Sequence, residues 1–111
     1  MDSPTVLCID DRPHVLQLRK AALEPHGYCV KIASSGYSAM KILEESPVTA
    51  VLLEYKQEGM DAEAVAAHIK QRFPSLPIVL LSAYATTRAD AAITRRVRRE
   101  IRRFQSIETL V

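Results

Sequence analysis

Acidic and hydroxyl side chains stand at the ends of apolar runs in this sequence. Asp10 and Asp11 follow TVLCI (5–9), Glu54 closes AVLLE (50–54), and Ser82 follows IVLL (78–81). Short apolar runs rich in Val, Ile and Leu read as strands buried on both faces of a parallel sheet. In an open sheet of that kind the working crevice lies beyond the carboxyl ends of the strands. Carboxylates gathered there repel one another, and a hard divalent cation such as Mg²⁺ relieves the repulsion by taking one or two carboxylates, a backbone carbonyl and waters. An Asp-Asp pair alone also serves to cap a helix. It gains meaning from the acid after the third run and the hydroxyl after the fourth.

The elements that must position these groups alternate along the chain. TVLCI is the first strand. Pro13 opens a helix, where its missing N–H does no harm, with Val15, Leu18, Ala22 and Leu23 as the expected apolar stripe and Gly27 as the stop. YCVKIA (28–33) is a second strand with the weaker alternation of an edge. SSGYSAMKILEES (34–46) starts on capping serines and reads as a helix with Ala39, Met40, Ile42 and Leu43 inward. AVLLE is the third strand. DAEAVAAHIKQRF (61–73) is a helix capped by Asp61, with Ala64, Val65, Ile69 and Phe73 inward, and Pro74 and Pro77 bracket a turn before IVLLSA (78–83), a fourth buried strand. This β-α-β-α-β-α-β order predicts a doubly wound α/β sheet with right-handed crossovers.

The last quarter breaks the rhythm. Residues 1–83 carry 8 Lys/Arg and 10 Asp/Glu, whereas residues 84–111 carry 7 Arg and 3 acids. No apolar fifth-strand run appears there. Ile93, Val97, Ile101 and Phe104 recur at helical spacing among arginines, which predicts one basic helix from about Thr87 to Phe104. At 111 residues the chain is one domain, divided here into a βα core, 1–84, and the basic segment, 85–111. No run of 18 apolar residues and no charged-then-apolar leader is present, so the chain reads as soluble, unexported and without membrane contact. Cys8 and Cys29 lie in apolar segments, outside any CxxC or metal-ligand spacing, and read as buried reduced thiols of a cytoplasmic protein.

Residues 4–84 resemble the receiver domains of response regulators in two-component signalling, which have a flavodoxin-like fold. VLCIDDRPHVLQLRKAALEPHGYCVKIASSGYSAMKILEE is similar to the first two βα units of a receiver, and AVLLEYKQEGMDAEAVAAHIKQRFPSLPIVLLSA to its third unit and fourth strand. The resemblance implies a histidine kinase as partner and a phosphoacceptor aspartate at the position held here by Glu54. It also implies a metal site of Asp10, Asp11, Glu54 and the backbone carbonyl of Lys56. It makes Ser82 and Ala83 the switch residues.

The departures from the family pattern shape the functional expectation. Glutamate carries its carboxylate about 1 Å further out than aspartate, and a displacement of that size in an in-line reaction costs about 10²-fold. One carboxylate also imitates a phosphoryl group poorly, with one negative charge against about −1.5 to −2. Gln57, Glu58 and Ala62 stand where the family often has an apolar residue, proline and glycine. The family's lysine after strand 5 has Arg103 as its nearest counterpart, and the chain ends where the family's last helix begins.

These departures favour a pseudo-receiver: a non-enzymatic protein–protein interaction module with weak or absent Mg²⁺ binding. It would be a homo-oligomer, expected as a dimer, through the face of Ile93, Val97, Ile101 and Phe104. The alternative is a working phosphoacceptor using the Asp10/Asp11/Glu54 site. Nucleic-acid binding through RRVRREIRR is less favoured, because pI 8.7 is modest and Phe104 is the only interleaved aromatic. A nucleotide-binding enzyme fits poorly, since Gly27, Gly36 and Gly59 make no phosphate loop. His14, His26 and His68 read as surface residues.

Overall fold

The structure, a computed structural model, describes residues 3–54 and 61–81. Its elements follow in the order β1 (Thr5–Ile9), α1 (Pro13–Leu23), a 3-10 turn (Glu24–His26), β2 (Cys29–Ala33), α2 (Gly36–Glu45), β3 (Ala50–Glu54), α3 (Ala62–Arg72) and β4 (Ile78–Leu81). The strands form one parallel sheet in the order β2-β1-β3-β4. The expected doubly wound α/β architecture is therefore present. The predicted basic helix, its face of Ile93, Val97, Ile101 and Phe104, and the division at residue 84 lie outside the described residues. Among those residues no helix is long and apolar enough to cross a membrane.

Alternation along the strands builds two cores. Val6, Cys8, Ala50, Leu52, Val79 and Leu81 face α1 and meet Leu16 and Leu23. Leu7, Ile9, Val51 and Leu53 face the other way and meet Ala39, Met40 and Leu43 of α2 and Ala62 and Ile69 of α3. β3 is buried at every residue, as a central parallel strand must be. At the far side of the sheet β4 is less covered, and Leu80 is exposed.

Local chemistry sets the helix ends. Ser35 accepts from the Ser38 backbone N–H, and Ser38 Oγ accepts from the Ser35 N–H, a reciprocal capping box at the start of α2. Asp61 caps α3 by accepting from Ala64 N–H. Gly27 adopts φ +91° after the 3-10 turn, a left-handed conformation suited to glycine.

Three expectations need correction. The face of α1 turned to the sheet is Val15, Leu16, Arg19 and Leu23, not the stripe containing Leu18, which is 59% exposed. At 3.6 residues per turn those four positions cover an arc of about 100°, and Leu18 falls outside it. Ala64 is exposed, and α3 buries Ala62 and Ile69 instead, with Val65 and Phe73 partly covered. Cys29, on the outer strand β2, is exposed; only Cys8 is buried, and burial pushes its thiol up to about 12.

The rotated α1 face makes a measurable distinction. Leu16→Ala is expected to lower stability by about 2–5 kcal/mol, and Leu18→Ala to change it by no more than about 0.5 kcal/mol. Urea unfolding of the two variants checks it; equal losses would restore the Leu18 stripe.

Candidate functional site

The sheet order places the topological switch between β1 and β3, whose chains leave toward opposite edges. Asp10 directly follows β1 and Glu54 ends β3, so both acids reach the same crevice. Asp10 is 3% exposed and its N–H donates to Ala33 O at 3.2 Å, extending the β1–β2 ladder by one residue. Asp11 is half-buried beside it. Asp10 lies close enough to Glu54 to raise its pKa. Lys56, Ser82, Ala83 and Arg103 lie outside the described residues, as do Gln57 and Glu58.

Two arginines meet the acids. The chain turns back after β1 so that Arg12 N–H donates to Asp10 Oδ1 at 2.9 Å, an Asx-type turn. The same side chain then folds over the carboxylate. Its Nε donates to Asp10 Oδ1 at 3.1 Å and its Nη2 to Oδ2 at 3.0 Å, a two-pronged, charge-assisted contact. This hydrogen bond holds the Arg12 guanidinium further toward its charged form.

The second arginine comes from below. Arg19 projects from the buried face of α1 and is 5% exposed. Its Nη2 lies 3.9 Å from Glu54 Oε2, with Glu54 2% exposed. At that separation the two atoms form an ion pair by charge rather than a hydrogen bond. Glu54 takes this direction because alternate residues of β3 share a face: Ala50 and Leu52 belong to the α1 core, and Glu54 continues their side of the strand. A cavity of about 10 Å³ lies between Cys8, Asp10, Leu16, Arg19, Leu52, Glu54 and Leu81. That is about the room one water molecule needs.

Burial is the largest influence on Glu54 and raises its pKa, Asp10 adds to the rise, and Arg19 and Arg12 oppose it. Among the described residues the acids are engaged by arginines rather than arranged as a carboxylate cage. Both oxygens of Asp10 already accept from a guanidinium, and Glu54 is directed to Arg19. Among the described residues no group of three His, Cys, Asp or Glu side chains is placed to hold a metal ion. The histidines are exposed, as expected. Among the described residues a concavity of about 700 Å³ runs between α2 and α3 past Tyr37, Met40, Val65 and His68. Size alone does not make it the site, because the buried acids are not there.

No motif in the sequence marks Arg12 or Arg19. Arg19 had a readable signal: it stands four residues after Val15 and four before Leu23, inside an apolar face, where a solvated arginine is out of place.

The comparisons agree with this architecture. Residues 6–102 match the family model of the response regulator receiver domain, a span reaching beyond the motifs at 4–84. An NtrX-like response regulator of Rickettsia bellii is 35% identical over 83 residues, which cover 73% of this chain and 17% of that protein. The crystal structure of the response regulator TrrA from Thermotoga maritima, in complex with Mg²⁺ and BeF, is 30% identical with a TM-score of 0.67, covering 78% of this chain and 76% of that one. A CheY-like receiver domain from Methanospirillum hungatei superimposes with a TM-score of 0.83 over 95% of this chain and 98% of its own at 15% identity, which speaks for the fold. The chain belongs to the response regulator receiver domain family, the phosphosignalling modules of two-component systems. Its match spans under a fifth of the NtrX-like regulator.

The raised pKa of Glu54 has a definite sign in stability. A carboxyl that binds its proton more tightly when folded favours the folded state at low pH. That contribution fades as pH rises from the unfolded glutamate value, about 4.3, through the higher folded value. Urea midpoints of the wild type relative to Glu54→Gln, measured with a chelator present, are expected to fall across that window. A rising difference would reverse the assignment.

Proposed function

We propose that this chain is a degenerate receiver: a signalling module whose surface, rather than a phosphorylated aspartate, carries the information. Glu54 holds the phosphoacceptor position. The observation supporting the reading most directly is the engagement of both Asp10 oxygens by Arg12, with Glu54 turned inward to Arg19. Asp10, Asp11, Glu54 and the Lys56 carbonyl then form a vestigial metal site that takes Mg²⁺ weakly. Ser82 and Ala83 keep the family's switch positions, with Arg103 the nearest candidate for a cationic partner. The module works in the cytoplasm with a histidine kinase or another signalling protein, and not as an enzyme.

Acetyl phosphate with Mg²⁺ provides the test. Intact-mass spectrometry is expected to show no phosphorylated wild-type species, and Glu54→Asp to label slowly at most. Substantial labelling of the wild type would establish a working phosphoacceptor instead.

The same reading extends to assembly. Ile93, Val97, Ile101 and Phe104 recur at helical spacing among arginines, and an apolar stripe of that kind calls for a covering partner. We assign residues 85–111 to a basic helix whose face of Ile93, Val97, Ile101 and Phe104 joins two copies about a two-fold axis. Sedimentation at micromolar concentration is expected to give a dimer that Val97→Glu weakens. A stable monomer would contradict the assignment.

A further inference from the structure

We infer that Arg19 is a positioning residue that holds the Glu54 carboxylate inside the α1 face of the sheet, taking there the charge-balancing role of a divalent cation. The inference rests on the degenerate-receiver reading and adds the device that maintains it. Three observations carry it. Arg19 and Glu54 are each almost fully buried and their charged ends lie 3.9 Å apart. Arg19 sits in the middle of an otherwise apolar helix face, among Val15, Leu16 and Leu23, so its charge has no packing role that a leucine would not fill better. The cavity that the pair lines together with Cys8, Asp10, Leu52 and Leu81 is about 10 Å³, on the scale of one water.

The two arginines divide the work. Arg12 reaches Asp10 from the crevice side, where it is 42% exposed, and it can swing away into water. Arg19 is fixed by the helix that carries it and approaches Glu54 from the core. A guanidinium cannot lose its proton in a protein, so its positive charge persists at any working pH. A cation arriving at the crevice must compete with this resident charge for the Glu54 carboxylate and also work against its repulsion.

A four-protein cycle tests the pairing: wild type, Arg19→Leu, Glu54→Leu and the double variant, followed by urea unfolding. Breaking a buried pair leaves one charge behind, whereas replacing both partners with apolar groups removes the problem. Each single variant is expected to lower the urea midpoint, and the double variant to return it to the wild-type value or above. Additive losses, or a double variant less stable than either single one, would overturn the inference even if a single variant fails to fold.

The metal-replacing role is read separately in Arg19→Gln, which keeps a hydrogen-bond donor and drops the charge. Calorimetric titration with Mg²⁺ is expected to show at least a tenfold gain in apparent affinity over wild type, with Arg19→Lys remaining near wild type. Equal affinities of wild type and Arg19→Gln would overturn the role. Wild-type labelling by acetyl phosphate would defeat the degenerate-receiver reading instead, and the unfolding cycle is independent of that result.

Discussion

A carboxylate at the end of a strand buried on both faces must find its counter-charge within the protein. That constraint governs this molecule. β3 is covered from Ala50 to Glu54, so its last side chain opens toward packed side chains rather than water. Desolvating a carboxylate and a guanidinium costs several kcal/mol per ion before their attraction is counted. The pairing of Glu54 with Arg19 therefore adds little net stability over an apolar pair. What it supplies is direction: each charge penalises any arrangement that separates it from the other. The orientation of α1 follows, since Leu16 and Leu23 must meet the sheet on the same face that delivers Arg19.

Much of the fold was legible because its signals are local or doubly encoded. AVLLE reads as a buried strand and is one at every residue. The serine cap of α2 and the aspartate cap of α3 are chemical necessities of helix ends and appear where the residue types put them. The α1 face was misread for a reason that is also informative. A stripe assembled from apolar residues alone prefers Leu18 to Arg19, and the fold buries the arginine because an acid waits for it across the core. A one-dimensional hydrophobic pattern cannot contain that fact, for the partner is 35 positions away. Cys29 and Ala64 failed similarly: small or thiol side chains follow whichever face the larger residues choose.

The site was half legible on the same principle. Asp10, Asp11 and Glu54 follow from strand ends, which a sequence displays. The arginines that answer them do not: Arg12 acts through a turn that folds it back two residues, and Arg19 through tertiary packing. Three acids read without their cations suggest a metal. Read with two guanidiniums beside them, they describe a crevice that carries much of its own charge compensation.

The identity of the acid then has a physical reason. The Glu54 carboxylate stands 3.9 Å from the Arg19 guanidinium, near the outer limit of an ion pair. An aspartate on the same backbone would withdraw its oxygens by about 1 Å, and the contact would open beyond that limit. The longer side chain is the one long enough to reach the core arginine. Conversely, a buried arginine in α1 would be a liability beside an aspartate that had to receive Mg²⁺ and a phosphoryl group. Glutamate at the third strand's end and arginine in the first helix thus account for each other. Removing either partner alone would leave an ill-compensated charge in the α1 core.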